Sequence, residues 1–201
     1  MKFIKSITIM ILLLFFSVAP AFAQKLILFE KDEQWGYKDK RGKVIIPAQF
    51  AIAENFSKSG IAAVLDRTGW AYINNSGAVV IRPFIYDNGP DYFKEGLARF
   101  VSNDKIGFFD RTGRVVIEPQ FDFARPFHQG LAAVCAGCWT ERSDAEHSIV
   151  VGGRWGFVDR KGHLIVELKF ESAADFSNGK ASVFASGKQL HIDKKGRILE
   201  K

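Results

Sequence analysis

The sequence predicts an all-β protein in which three-stranded β-meanders follow one another in an open, solenoid-like array. Three observations predict this fold class. A hairpin pattern occurs five times, most of its copies lie about 35 residues apart, and the copies fill the chain from residue 24 onward. A period of this length is typical of repeat proteins, in which each unit packs against its neighbours.

The copies follow a common pattern, in which a strand of the form aromatic-Gly-aromatic continues into an Asp-x-x-Gly turn. The fourth copy, residues 155–162, has the sequence Trp-Gly-Phe-Val-Asp-Arg-Lys-Gly and shows the pattern most fully. Asp or Asn at the first turn position can bond the backbone two residues on, and Gly at the fourth adopts a positive φ without steric cost. The turn glycines, separated by 35, 36, 49 and 34 residues, are Gly42, Gly77, Gly113, Gly162 and Gly196. The pattern predicts one β-hairpin in each unit.

Large and small residues alternate in the strand before each turn. Successive side chains of a strand point to opposite faces of the sheet. On the face of the central Gly, the missing side chain leaves room for another backbone to approach. The first two residues of these strands are Trp35 and Gly36, Trp70 and Ala71, Ile106 and Gly107, Trp155 and Gly156, and Gln189 and Leu190. The strand after the turn is short, β-branched and apolar, as in Val44-Ile45-Ile46, and we expect it to be buried on both faces.

A connector with two apolar positions separates each hairpin from the next meander. These positions are occupied by Phe50 and Phe56, Ile85 and Phe93, Phe121 and Phe127, and Phe170 and Phe176. Pro47, Pro83 and Pro119 near its start disfavour a continuing ladder. We therefore expect an irregular connector or a single helical turn whose apolar pair belongs to the core.

These features resemble the WG-containing repeat family of bacterial proteins. The resemblance rests on Trp-Gly-Phe/Tyr, Asp-x-x-Gly and Phe-x-x-Gly-Leu-Ala-x-Val, and it extends over residues 25–201. Ala71, Ile106 and the segment 189–191 depart from the pattern, and a degraded last copy is expected of a capping unit. We expect the following signature residues to be structural: Trp35, Gly36, Gly42, Trp70, Gly77, Gly107, Gly113, Trp155, Gly156, Gly162 and Gly196. The resemblance implies a binding or scaffolding role.

The chain is expected to comprise a leader and one repeat domain. Residues 1–23 combine Lys2 and Lys5 with an apolar run and a small-x-small site, which is typical of a cleaved signal peptide. An uncleaved membrane anchor is the alternative, although the apolar run is short for a bilayer. The mature chain is then periplasmic or secreted and has no stable membrane span.

Residues 24–201 are expected to form five units. Their predicted bounds are 24–56, 57–92, 93–127, 128–177 and the capping unit 178–201. A five-bladed, propeller-like closure is the alternative to the open array. The open array is favoured because propeller blades usually have four strands and are longer than these units.

The charge pattern gives no indication of a nucleic acid partner. Removing residues 1–23 takes away Lys2 and Lys5 and no acidic residue, so the net charge changes from +6 to +4. The basic residues are dispersed through the turns, whereas nucleic acids and anionic membranes are usually bound by clustered ones.

The fourth unit contains fifteen additional residues. The step from Val134 to Trp155 takes 21 residues, whereas the corresponding step takes six in three other units. We expect an insertion at a hairpin tip, near residues 135–150, where repeat proteins often carry binding loops. Its candidate partner contacts are Trp139, Glu141, Arg142 and His147. Trp139 is either an exposed anchor or is folded back onto a disulfide between Cys135 and Cys138.

Both cysteines of the chain, Cys135 and Cys138, lie in this insertion. In an exported protein such a pair most simply forms a local disulfide. A redox-active pair, a zinc site and free thiols are the alternatives. A second pair of zinc ligands is missing, as is the strand-helix context of thioredoxin-like enzymes.

No catalytic, cofactor-binding or metal-binding pattern stands out in the sequence. Turn geometry accounts for the recurrent Asp residues. We therefore expect a non-catalytic, exported scaffold that needs no cofactor and binds an unidentified protein or cell-envelope component. The alternative is a thiol-disulfide oxidoreductase or redox-sensing protein that uses Cys135 and Cys138.

Overall fold

A computed structural model describes residues 25–143 and 148–199 of the chain. These residues form twenty β-strands and no helix, and hence no helix that is long and apolar enough to cross a membrane. The strands form five antiparallel sheets in chain order and one additional two-stranded ribbon. None of these sheets closes into a barrel, which confirms the predicted all-β, open array of meanders. The predicted leader, residues 1–23, lies outside the described residues.

Each sheet contains a hairpin of two strands, and an edge strand follows it in the chain. The two strands of the hairpin are called the first and second long strands, although some edge strands contain as many or more residues. The first long strands are β1 (Ile27–Lys31), β5 (Ile61–Asp66), β10 (Leu97–Ser102), β14 (Leu131–Arg142) and β18 (Lys180–Ala185). The second long strands are β2 (Gln34–Lys38), β6 (Gly69–Asn74), β11 (Lys105–Asp110), β15 (Ser148–Asp159) and β19 (Lys188–Asp193). The edge strands are β3 (Val44–Phe50), β7 (Val79–Ile81), β12 (Val115–Phe121), β16 (Leu164–Phe170) and β20 (Ile198–Leu199).

The connector contributes a short entry strand to the following sheet. The entry strands are β4 (Ile52–Ala53), β13 (Phe123–Ala124) and β17 (Ser172–Ala173), and each pairs with the first long strand of its sheet. In the third sheet a single bridge between Pro83 and Phe100 takes this place. The chain then forms a ribbon of β8 (Ile85–Tyr86) and β9 (Gly89–Pro90). The expectation of a helical turn was therefore wrong, because this backbone is extended and hydrogen-bonds to the next sheet.

The Asp-x-x-Gly turns have the predicted geometry. In the first turn, the N–H groups of Arg41 and Lys43 donate to Oδ1 of Asp39 at 2.8 and 2.9 Å, and Gly42 has a φ of 86°. The same pair of bonds recurs at Asn74, Asp110, Asp159 and Asp193. Local chemistry thus sets the register between the second long strand and the edge strand.

The glycine of the aromatic-Gly-aromatic strand lies against the backbone of the edge strand. A Cβ atom at Gly36 would lie 2.6 Å from Ala48 N and 2.7 Å from Ile46 O, and Gly107 and Gly156 are equally close to their edge strands. The edge strand bulges at this point. β3 and β12 continue through Pro47 and Pro119, so the expectation that these prolines end the ladder was wrong, because each proline lies within the bulge between two paired residues. In the second sheet, where this position is Ala71, β7 ends at Ile81 opposite Tyr72, and no residue of β7 pairs with Ala71.

The apolar run after each turn is buried on one face only. In the first four sheets one residue of the run is buried, whereas neighbours such as Val44 and Val79 are about half exposed, at 49% and 48%. The buried residues are Ile46, Ile81, Ile117 and Val166. The expectation of burial on both faces was wrong, because only one face of this strand packs into the hydrophobic core between consecutive sheets.

The core is divided among the four junctions between consecutive sheets. Each hydrophobic cluster combines residues from two neighbouring sheets, such as Tyr37 with Val64 and Phe157 with Ile192. No cluster of the described residues joins the first sheet to the last, as expected of an open array. The connector residues Phe50, Phe121 and Phe170 are buried as predicted, whereas Ile85 is exposed because it lies in the ribbon.

Candidate functional site

A cleft of about 780 Å³ lies where the third, fourth and fifth sheets meet. One wall comes from the β8–β9 ribbon and the segment after it, which contribute Tyr86 and Tyr92. The entry segments of the fourth and fifth sheets contribute Arg125 and Asp175, and the distal part of β15 contributes Ile149. The ribbon and the lengthened β14–β15 hairpin, which are the two departures from the repeat, therefore border the same cleft.

The additional residues of the fourth unit lengthen a hairpin. β14 and β15 pair from Leu131 opposite Asp159 as far as Arg142 opposite Ser148, well beyond the length of the other hairpins. Gly137, Gly152 and Gly153 have φ values of 74°, 70° and 65°, a left-handed conformation that favours glycine. These residues interrupt the regular pleat at the base of the extension, which we define as residues 137–153.

Two links hold the base of this extension. Cys135 and Cys138 form a disulfide, and both belong to the core cluster between the fourth and fifth sheets. The carboxylate of Asp122 accepts hydrogen bonds from Lys105 Nζ at 2.5 Å and from the Gly137 N–H at 2.7 Å. These two donors, Lys105 foremost, lower the pKa of Asp122 below its usual value. The extension is thus anchored both to the core and to the third sheet.

The candidate contacts proposed from sequence lie on the extension, outside the cleft. The Trp139 side chain is 54% exposed and its ring covers Gly152, so that a Cβ atom at position 152 would require the ring to move. Its Nε1 donates to Glu141 Oε1 at 2.7 Å, so these two residues are brought together. Arg142 is exposed at the end of β14, and none of the three lines the cleft. His147 lies outside the described residues.

Aromatic side chains form much of the cleft. The rings of Tyr86 and Tyr92 have centroids 6.2 Å apart, and the two residues are 53% and 61% exposed. Deeper in the cleft, Phe123 lies between Phe84 and Trp155, with centroid distances of 6.3 and 5.9 Å. The floor is therefore packed and rigid, while the tyrosine pair is available to a ligand.

A buried ion pair supports the ribbon wall. Asp91 and Arg99 are 3% and 4% exposed, and Arg99 Nη2 donates to Asp91 Oδ1 at 2.7 Å. Sequence reasoning missed this pair. The sequence does contain one indication of it: Arg99 occupies a position of the first long strand at which other units have the small residues Ala63, Ala133 and Ser182. A charged residue at such a position needs a buried partner.

Two of the remaining charged side chains of the cleft have no ionic partner among the described residues. Neither Lys94 nor Arg125 forms an ion pair with a described residue, and the Arg125 guanidinium lies 6.0 Å from the centre of the Trp155 ring. His128 Nε2 lies 3.6 Å from Asp175 Oδ2. Asp175 Oδ1 is buried and accepts no hydrogen bond from the described residues. The cleft therefore presents two cations that have no ionic partner among the described residues.

The signature tryptophans have structural positions. Trp155 is 3% exposed and forms part of the cleft floor. Trp70 Nε1 donates to the carbonyl oxygen of Asn88 at 3.0 Å, which fastens the ribbon to the second sheet. Trp35 packs against the core cluster at the first junction. Within residues 25–143 and 148–199, no three His, Cys, Asp or Glu side chains are grouped so that they could hold a metal ion.

Solved structures show only distant likenesses to this chain. "Crystal structure of the eukaryotic initiation factor" is 13% identical with a TM-score of 0.39, and covers 88% of this chain and 52% of its own. Kluyveromyces lactis Hsv2 is 11% identical with a TM-score of 0.32, and covers 89% of this chain and 60% of its own. The chain thus spans little more than half of these proteins, and the TM-scores are too low to carry an argument. No curated protein matches the sequence.

The sequence profile described as "WG containing repeat" matches the chain in four segments, residues 35–66, 70–105, 106–137 and 155–188. Most of the hairpin extension lies between the third and fourth segments. Because the matched segments cover more than half of the chain, the protein belongs to the WG containing repeat family.

Proposed function

We propose that the protein is an exported, non-catalytic scaffold that binds a protein partner or a cell-envelope ligand in the cleft between the third, fourth and fifth sheets. The observation that carries the proposal is that both departures from the repeat border one cleft. In a repeat protein, insertions on one face commonly form the binding surface.

The chemistry of the cleft supports this proposal. Tyr86, Tyr92 and Ile149 offer at least half-exposed apolar surface next to Lys94 and Arg125, two cations without an ion-pair partner in the described part of the chain. Exposed aromatic side chains and unpaired Arg residues are typical of the central contacts of binding surfaces. The export part of the proposal rests on the leader-like residues 1–23.

The alternative role as a thiol-disulfide enzyme draws no support from the surroundings of the cysteines. Such an enzyme needs an accessible sulfur for attack by a thiolate. Cys135 and Cys138 are 0% and 8% exposed and are bonded to each other inside the core. We therefore propose that the disulfide has a structural role and holds the base of the hairpin extension.

A shortened hairpin tests the proposal. Residues 137–153 are replaced by the two-residue turn Asn-Asp, as at Asn103 and Asp104, and Cys135→Ala removes the thiol left behind. Partners are then captured by chemical crosslinking in the native cell envelope. We expect the full-length hairpin to capture partners that the shortened protein loses, while both give the same circular dichroism spectrum.

Two control variants locate the effect. Trp139→Ala alters the extension outside the cleft, and Ile198→Ala alters an exposed apolar residue of the last sheet. Both should capture the same partners as the unmodified protein. Capture of the same partners by the shortened, folded protein would contradict the proposal.

A further inference from the structure

We propose that the cleft takes an extended segment of another protein, rich in acidic and apolar residues, which adds as a β-strand to the open edge of β15. This inference rests on the proposed function and specifies both the partner chemistry and the binding mode. Addition of a strand to a free sheet edge is a common way of binding extended peptides.

The distal part of β15 has a partner strand on one side only. Residues 148–151 pair with β14, whereas the pairing of β15 with the edge strand β16 extends no further than Trp155. Within the described residues, no other strand pairs with this segment. Its backbone N–H and C=O groups on the open side are therefore available to an incoming strand.

This open edge borders the cleft. Ser148, Ile149 and Val150 all line it, although they are consecutive in the strand. The face of a strand exposes only every second residue, so three consecutive lining residues indicate that the cleft runs along the edge. No residue from the distal part of β14 lines the cleft. A peptide lying in the cleft would thus lie beside β15.

The edge also lacks the features by which proteins commonly block strand addition. Proline within the strand and β-bulges are two such features. The edge strands β3 and β12 have both, at Pro47 and Pro119. The segment Ser148-Ile149-Val150-Val151 contains neither proline nor charge, and its pairing with β14 shows no register shift.

The side chains around the edge select the chemistry of the added segment. Lys94 and Arg125 have no acidic partner among the described residues and would attract carboxylates. Tyr86, Tyr92 and Ile149 would receive apolar side chains. In a segment that alternates acidic and apolar residues, the carboxylates point to one face of the strand and the apolar side chains to the other. Such a segment could therefore contact both the cations and the apolar side chains of the cleft.

A second copy of this chain and a nucleic acid both fit less well. The chain carries a net charge of +6, and the edge segment itself contains no carboxylate to pair with Lys94 or Arg125. A phosphate backbone supplies negative charge but has no N–H and C=O ladder to match a strand edge. A protein segment provides both.

Defined peptides test this binding mode with the mature protein. The probe is an acetylated, amidated peptide of four Glu-Val repeats, and its counterpart has four Lys-Val repeats. A third peptide keeps the Glu-Val side chains but carries N-methyl groups on the valines, which blocks hydrogen bonding along one edge. Binding is measured by fluorescence anisotropy at two salt concentrations.

We expect the Glu-Val peptide to bind about tenfold more tightly than the Lys-Val peptide, and N-methylation to weaken binding about tenfold. Combining Lys94→Gln and Arg125→Gln should weaken binding of the Glu-Val peptide about tenfold, whereas Arg41→Gln on an exposed turn should leave it unchanged. Equal binding of the two peptides, or no effect of N-methylation, would overturn strand addition. Binding of heparin with no binding of the Glu-Val peptide would also overturn it.

Failure of this inference can be distinguished from failure of the proposed function. If the shortened hairpin still loses the native partners while the Glu-Val peptide does not bind, strand addition is wrong and the cleft remains the binding site. If the shortened hairpin retains the native partners, both proposals fail.

Discussion

Asp91 and Arg99 form a bidentate ion pair inside the wall of the cleft, with Arg99 Nε 2.9 Å from Asp91 Oδ2 and Arg99 Nη2 2.7 Å from Asp91 Oδ1. Arg99 Nη1 also donates to the carbonyl oxygen of Ala124 at 2.9 Å. The pair therefore joins the end of the β8–β9 ribbon to the third sheet and to the entry strand of the fourth sheet. Its guanidinium lies 4.3 Å from the centre of the Phe84 ring.

Removing one partner of this pair should be costly. Asp91→Ala leaves the Arg99 guanidinium buried with a single carbonyl acceptor, and we expect the free energy of unfolding to fall by about 3 kcal/mol. Urea denaturation followed by circular dichroism measures the change. The double variant Asp91→Ala with Arg99→Ala restores the alanine found at Ala63 and Ala133, and should be less destabilised than the single variant. A single variant that unfolds at the unmodified urea concentration would show that the pair does not support the wall.

The glycine of the aromatic-Gly-aromatic strand should be needed only where the backbone of an edge strand passes close to it. A Cβ atom at Gly156 would meet Val166 O and lie 2.8 Å from Glu167 C, so Gly156→Ala should cost about 3 kcal/mol. The matched exchange in the second sheet, Ala71→Gly, faces no crossing edge strand and should cost about 1 kcal/mol. Thermal unfolding of the two variants gives the comparison. Equal losses would mean that the edge strand does not explain the glycine.

The disulfide should resist reduction as long as the chain is folded. Both sulfurs lie in the core, with Cys135 and Cys138 only 0% and 8% exposed, and reduction requires a thiolate to reach one of them. We expect dithiothreitol to reduce the bond at least about tenfold more slowly in buffer than in urea. Alkylation of the released thiols and mass spectrometry measure both rates. Equal rates would indicate an accessible bond and favour the thiol-disulfide alternative.

Stability should fall in acid partly through Asp66. The hydrogen bond from Arg82 holds the pKa of Asp66 at about 2, below its usual value of 3.8. Because the folded-state pKa is the lower one, the contribution of this carboxylate to stability is present above about pH 4 and is lost as the pH falls through about 2. Asp66→Asn should therefore reduce the loss of stability between these pH values.

Urea denaturation across that pH range provides the measurement. Glu118→Gln is the control, because Glu118 is exposed and forms no ion pair with a described residue. If Asp66→Asn and Glu118→Gln change the pH dependence of the free energy of unfolding equally, the Arg82–Asp66 contact does not account for the loss of stability in acid.

The parts of the fold that depend on neighbouring residues could be predicted from sequence. The Asp39 turn and its counterparts need only an Asx side chain and a glycine with positive φ, so the hairpins and their spacing were correct. Two of the predictions that were wrong concern the strand that contains Val44, which was expected to be buried on both faces, and the extended entry strands, where a helical turn was expected. Both depend on how one sheet stacks on the next, which local propensity does not determine.

The cleft depends on contacts that are distant in sequence. Arg99, Ile149 and Ala173 come from the third, fourth and fifth sheets and meet only because the open array places those sheets side by side. The lengthened hairpin was found as a break in the period. Its candidate contacts, Trp139, Glu141 and Arg142, lie outside the cleft, whereas β15 borders it. The position of Arg99 among small residues was the one local sign of the buried pair.

Site-specific photo-crosslinking in the native cell envelope measures most directly whether partners are bound in the cleft. A benzophenone side chain is introduced at Tyr92, in the cleft, and at Ile198, an equally exposed position in the last sheet, both 61% exposed. We expect crosslinked partners from position 92 and none from position 198, and we expect those from position 92 to disappear when Arg125→Gln and Lys94→Gln are added. Crosslinks from position 198 with none from position 92 would contradict binding in the cleft.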